Sequence, residues 1–139
     1  GTPAGHERLR AKLDLASGTL ATGTFSYAAT QPTNGQTVLI NGVVYEFSSD
    51  SSADPANVYV AIGVSADASW TNLNNAINLY EQAVTASIDT GADILTITSN
   101  YGGTTGNAIA ISTAIGGVTV SGAVLAGGAN GMLPTFHIW

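Results

Sequence analysis

"VLINGVVYEF", residues 38–47, sets Asn41-Gly42 between two short apolar runs. Both central positions of a type I′ turn need positive φ, which Gly adopts freely and Asn tolerates well, so the stretch predicts a two-residue β-hairpin. Alternation outward from the turn puts Val38, Ile40, Val43, Tyr45 and Phe47 on one face, with Thr37 and Glu46 on the other. One apolar and one polar face is the pattern of a strand pair lying over a core.

The neighbouring segments extend the pattern. Upstream, "GTFSYA" (23–28) offers Phe25 and Tyr27 on one face, and "QPTNG" (31–35) marks a turn. Downstream, "SSDSSADPAN" (48–57) reads as a polar loop and "VYVAI" (58–62) as a strand. The spacing of Trp70, Leu73, Ile77 and Tyr80 predicts one helix over 66–81, capped by Ser65 or Asp67. Its opposite face, with Asn72, Asn75, Asn78 and Gln82, is expected to face water. Asn is a mediocre helix former, so packing of the apolar stripe must stabilise this segment. "VTASI" and "ILTITS" then predict a second hairpin across "DTGAD", with Gly91 in the turn. A Gly-rich connection, "YGGTTGN", leads to closing strands in "AIAIS" and "VTVSGAVLAGG". The expected fold is mainly β: an antiparallel β-sandwich or curved sheet with one packed α-helix, spanning 19–131. Residues 1–18 form a basic arm and 132–139 an apolar C-terminal tail, both expected to extend from the body.

Composition narrows the function classes. A chain of 139 residues with 9% charged residues and 17 glycines suits one domain of strands and tight turns. No run approaches the ~18 apolar residues of a membrane span, and the polar, basic first residues do not read as a secretory leader. Cysteine is absent, which excludes disulfides and thiolate ligands. The net charge is −6, yet all three cations, Arg8, Arg10 and Lys12, lie in the arm. An acidic body repels phosphate backbones, so neither nucleic acid nor a membrane is expected as partner. The arm reads as a tether for an acidic patch on a neighbouring subunit, its plainer reading being a chain end without a fixed contact.

Four stretches together resemble a small domain of structural proteins in tailed-bacteriophage virions. They are "PTNGQTVLINGVVYEF", "ASWTNLNNAIN", "VTASIDTGADILTITSNYGGTTGNAIAIST" and "VTVSGAVLAGGANG", covering roughly residues 22–131. The order of "INGVVYEF", "LNNAIN", "GTTGNAIAI" and a closing "GG" carries the likeness. Relatives of that domain occur in head decoration proteins, tail and baseplate components and fibres. The resemblance therefore implies a virion part, and a lone domain with short flanks favours a decoration or cement protein on the capsid surface. The implied partners are the major capsid protein and further copies of the chain, for example in a trimer. The implied alternative is a tail, baseplate or fibre component, or a sugar- or receptor-binding module. The arm and the tail depart from the domain's pattern, so the specific contacts are expected there: Arg8, Arg10, Lys12, Leu133, Phe136, Ile138 and Trp139.

Catalytic readings find little to stand on. His6 and His137 lie in the two flanks, "GVSAD" lacks the second Gly of a nucleophile elbow, and Glu46 points outward on its strand. Asp50 with Asp54, and Asp89 with Asp93, could offer oxygen ligands to a hard cation, but Asp-rich turns more often serve their own backbone. "YGGTTGN" lacks the Lys of a phosphate-binding loop. Tyr59, Trp70, Tyr101 and Trp139 could form a sugar-stacking platform, although Trp70 belongs to the helix's apolar stripe. No catalytic residue, metal ligand or cofactor is assigned.

Overall fold

A computed structural model describes residues 18–130. The hairpin forms as its turn chemistry dictates: Asn41 and Gly42 both have positive φ, 51° and 79°. They join β2 (Thr37–Ile40) to β3 (Val43–Ser48), with Ile40 opposite Val43. Val38, Ile40, Tyr45 and Phe47 are fully buried, as the alternation requires. The remaining elements are β1 (Leu20–Ser26), β4 (Val58–Ala61), α1 (Ala66–Tyr80), β5 (Val84–Asp89), β6 (Ile94–Gly102), a 3-10 turn (Thr104–Ala108), β7 (Ile111–Thr113) and β8 (Thr119–Val120). The fold is thus mainly β with one packed helix.

Two four-stranded sheets form, in the orders β5-β6-β1-β8 and β4-β3-β2-β7. Every pair is antiparallel except β3–β4, which run parallel. That pair is possible because the polar connection, residues 49–57, carries the chain back along the sheet. Glu46 holds it there: its Oε1 accepts from the Asp54 amide at 3.1 Å and from Asn57 Nδ2 at 2.9 Å.

On one side the two sheets are stitched by a single segment. Residues 119–129 bond to β1 through Ser121 N to Thr24 O (2.9 Å) and the reciprocal pair Thr22–Ala126 (2.8 and 2.9 Å). The same segment bonds the other sheet through Leu125 N to Ile109 O (2.9 Å) and Ile111 N to Ala123 O (3.1 Å). "AIAIS" and "VTVSGAVLAGG" hold the last strands as expected, β7 and β8, but both strands are short. The first begins in a 3-10 turn, and the second is short because it divides its backbone bonds between two sheets. Gly23 permits this approach, since a Cβ there would lie 2.6 Å from Ile111 Cδ1 and 2.8 Å from Leu125 Cδ2.

On the other side the gap lies between edge strands β4 and β5, and α1 packs against both. Ser65 caps the helix, its side chain accepting from the Ala68 amide at 3.1 Å. Trp70 fills the space between the sheets. It stacks on Tyr27 (centroids 5.0 Å apart), approaches Phe47 at 5.6 Å and Phe25 at 6.5 Å, and donates Nε1–H to Thr30 O at 3.0 Å. Such aromatic contacts add to plain area burial, so one residue ties the helix to both sheets.

Two expectations for the helix are corrected. Tyr80 is 61% exposed, because the helix ends there and the chain turns away at Glu81, which is drawn inward instead. On the polar face Asn75 and Gln82 are exposed as expected, but Asn72 and Asn78 do not simply face water. Asn72 Nδ2 donates to Ala61 O of β4 at 2.9 Å. Asn78 makes both bonds to Ala86 of β5, Nδ2 to the carbonyl at 2.9 Å and Oδ1 from the amide at 2.7 Å. A carboxamide carries one acceptor beside its N–H donors, so it can occupy an edge position that a strand's peptide group would otherwise fill.

Candidate functional site

Strand directions define two ends of the barrel-like body. Thr19 and Ala129 form an antiparallel bridge, with Thr19 N to Ala129 O at 2.7 Å, so the two ends of the described chain lie side by side at one pole. β1 starts at this pole at Leu20, and β6 returns to it at Gly102, paired with Leu20. The Gly103 amide donates to Thr19 O at 3.2 Å, and the Thr104 amide to Asn130 Oδ1 at 3.2 Å. β7 starts at the same pole, because the strand leading into it pairs antiparallel with the closing segment at Ala110–Val124. β2 therefore ends there, which brings the Asn41-Gly42 turn to the pole, with the Asn41 amide bonded to Ala110 O at 2.8 Å. The end of α1 lies there too, since Gln82 and Ala83 are held by Asn100 of β6 at 2.8 Å each.

This pole gathers apolar surface. Leu20 (43% exposed), Leu79 (75%), Tyr80 (61%) and Tyr101 (50%) all belong to it. Of these the sequence points only to Tyr101, as one of the four aromatics of a stacking platform. Leu20 was legible in principle, since it alternates with inward Ala21, Gly23 and Phe25; Leu79 lies off the helix's apolar stripe. What could not be read was their convergence, which depends on strand order.

The seven predicted contact residues, Arg8, Arg10, Lys12, Leu133, Phe136, Ile138 and Trp139, lie outside the described residues. The two ends of the described chain from which these segments continue adjoin at the Thr19–Ala129 bridge. Of the four-aromatic platform, Trp139 lies outside the described residues, and the other three do not come together: Trp70 is fully buried, Tyr59 lies on edge strand β4 opposite Glu46, and Tyr101 stands at the other end, beside Gly102.

Glu81 is the buried acid of this end, 9% exposed at the C-cap of α1. Burial pushes its carboxyl above the ordinary carboxylate range, while Tyr45 and Asn41 nearby pull only partly the other way. Neither Glu81 Oε1 nor Tyr45 Oη makes a hydrogen bond of normal geometry. The adjoining acid and burial together raise the Tyr45 hydroxyl, burial contributing most.

The opposite pole is acidic. The Tyr27 hydroxyl donates to Asp67 Oδ1 at 2.7 Å and feels Asp93 and Asp89 as well, so burial and these carboxylates keep it protonated. The aspartates serve their own turns. Asp89 Oδ1 accepts from the amides of Gly91 (3.0 Å) and Ala92 (3.1 Å), and Asp54 Oδ1 from Ala56 (2.9 Å). Asp50 accepts from Ser52 N and Ser48 Oγ at 3.1 Å each, and the Ser52 and Ser48 hydroxyls, with the Ser52 amide, lower its carboxyl below the usual range. Among the described residues no group of three or more His, Asp or Glu side chains converges to hold a metal ion, and no helix is long and apolar enough to cross a membrane.

No family model matches the chain, and no curated protein sequence matches it.

Proposed function

We propose that this chain is a structural subunit of a tailed-phage virion, a head decoration or cement protein that stabilises the shell by bridging capsid subunits. The observation that supports this most is the Thr19–Ala129 bridge. It roots the basic segment and the apolar segment at one pole, beside four exposed apolar side chains. A subunit that docks by one end onto a shell needs this concentration of contacts. Arg8, Arg10 and Lys12 engage an acidic surface of the major capsid protein, and Phe136 and Trp139 act as aromatic anchors in a neighbouring groove. Each contact is modest, but a copy held at two points gains effective concentration for the second. A cyclic oligomer, such as a trimer at three-fold positions, matches the symmetry of such sites.

Shells lacking the protein provide the test. Trypsin cleaves after Arg8, Arg10 and Lys12 but finds no Lys or Arg from residue 13 onward. Clipped protein should stay folded and bind shells more weakly, and intact protein should bind less well as salt rises. Undiminished shell binding after clipping would sink the tether.

Tyr101, half exposed beside Gly102, supports a second reading as a sugar- or receptor-binding module within a tail, baseplate or fibre. Glycan-array binding that Tyr101→Ala abolishes, without stoichiometric presence on the shell, would favour it.

A further inference from the structure

The chain contains three Asn-Gly pairs, at 34–35, 41–42 and 130–131, and the third runs beyond the described residues. In such a pair the small Gly leaves its backbone nitrogen open to the preceding carboxamide, so side chain and backbone can react with each other. We propose that Asn41 is a self-modification site: in the folded protein it deamidates through a succinimide with Gly42, well ahead of Asn34, and the product loosens the β2–β3 hairpin.

The step needs only water. The Gly42 nitrogen gives its proton to solvent base and forms a bond to Asn41 Cγ, and the Cγ–Nδ2 bond breaks as ammonia leaves. Water then opens the five-membered ring. Cleavage at Cγ gives aspartate, and cleavage at the main-chain carbonyl gives isoaspartate, in which the backbone runs through the side chain.

Three observations separate the two described pairs. The first is the reacting amide. The Gly35 amide donates to Phe47 O at 2.8 Å, which holds its nitrogen away from Asn34, whereas the Gly42 amide has no backbone partner among the described residues. The second is the carboxamide. Asn34 Oδ1 accepts from the Ser49 amide at 3.0 Å, which fixes that group in another direction. Asn41 is exposed, and its carboxamide lies beside Glu81 without a hydrogen bond of normal geometry. The third is the backbone. Types I′ and II′ share a positive φ at the first central residue and differ by a flip of the central peptide, and ring closure fits the II′ form. Asn41 already has φ 51°, and Gly42 accepts either sign of φ. Neither the Asn41 carbonyl nor the Gly42 amide has a backbone bond to break, so this peptide can flip while the strands stay in place.

The products disturb the same corner. Ile40 and Val43 face each other across a two-residue loop, and isoaspartate adds a backbone carbon that this loop cannot take at that register. Aspartate puts a carboxylate beside buried Glu81, where like charges repel.

The test is to incubate the protein in mildly alkaline buffer at physiological temperature, then digest it and locate each lost carboxamide by fragmentation in a mass spectrometer. A parallel incubation in concentrated urea removes the fold. Both sites precede Gly, so they should react at comparable rates in urea, while in the folded protein Asn41 should react several-fold faster than Asn34. Asn34 keeping pace with Asn41 in the folded protein would overturn the proposal. So would an Asn41 that reacts in urea but stays intact when folded, because the turn would then protect it. An equal gap in urea would assign the difference to neighbouring sequence and overturn it as well. Anion exchange isolates the fraction modified at Asn41, which gains one negative charge. That fraction should unfold at lower urea than the unmodified protein, and an unchanged midpoint would refute the loosening of the hairpin.

Discussion

At Gly42 the backbone, not space, sets the penalty for substitution. A Cβ there meets nothing within 4 Å, but φ is +79°. Gly42→Val should cost about 2–3 kcal/mol, because a β-branched residue is strained at positive φ. Gly42→Asn should cost much less, and urea unfolding separates the two. Gly23 obeys the opposite logic. Its Cβ would strike Ile111 and Leu125 side chains, so Gly23→Ala should lose about 1–3 kcal/mol through overpacking alone. Glu46 was expected to be a bland outward residue, and it instead fastens the loop that makes β3 and β4 parallel. Glu46→Gln keeps a carbonyl oxygen able to accept both bonds and should remain mild. Glu46→Ala leaves the two donors to water and should cost about 1 kcal/mol in the same measurement.

The helix acts as a substitute strand. Edge strands with free backbone groups invite pairing with other chains, and here α1 covers β4 and β5 while Asn72 and Asn78 occupy part of their bonding edge. Asn78→Ala should lower stability by about 1–2 kcal/mol and raise the rate of self-association on warming, followed by light scattering. Asn78→Leu should do the same, which separates lost bonding from lost volume. At the end of the helix, Glu81 supplies a pH signature. Its folded-state carboxyl titrates above the unfolded one, so its contribution favours folding below the unfolded range, near pH 4.5, and is lost as pH rises through the folded value. Ionised Glu81 also lies at the negative end of the helix dipole. Glu81→Gln should therefore raise Tm at pH 7.5 and leave it nearly unchanged at pH 4. Each ~1 kcal/mol of relief would read as roughly 4 °C in a domain of this size. An equal gain at both values would refute burial of the charge as the cause.

For the whole molecule, what matters is polarity: one pole roots both flanks and carries exposed Leu and Tyr, and the other carries Asp67, Asp89 and Asp93. If docking proceeds through the first pole, deletion of Leu133–Trp139 should abolish shell binding while lowering Tm only slightly. Scanning calorimetry and shell co-sedimentation on the same sample make the comparison. A fall of many degrees, with assembly lost only because folding is lost, would assign the segment to the core instead. Substitutions at the acidic pole, such as Asp93→Asn, should leave shell binding unchanged.

Local chemistry was enough to determine the Asn41-Gly42 turn, the inward row Val38, Ile40, Tyr45 and Phe47, the helix with Trp70, Leu73 and Ile77 in its buried stripe, and the hairpin around Gly91. Each of those rests on a φ requirement or a periodicity that neighbours in the chain settle among themselves. Tertiary structure alone decided that β4 lies parallel to β3, that residues 119–129 serve two sheets, and that Asn72 and Asn78 bond strands rather than water. It alone brought Leu20, Tyr80 and Tyr101 to the end where Thr19 and Ala129 meet. These depend on which distant backbone groups remain unpaired once the sheets form. A buried or edge peptide group takes whatever partner the fold brings, and alternation along one strand carries no information about the strand beside it.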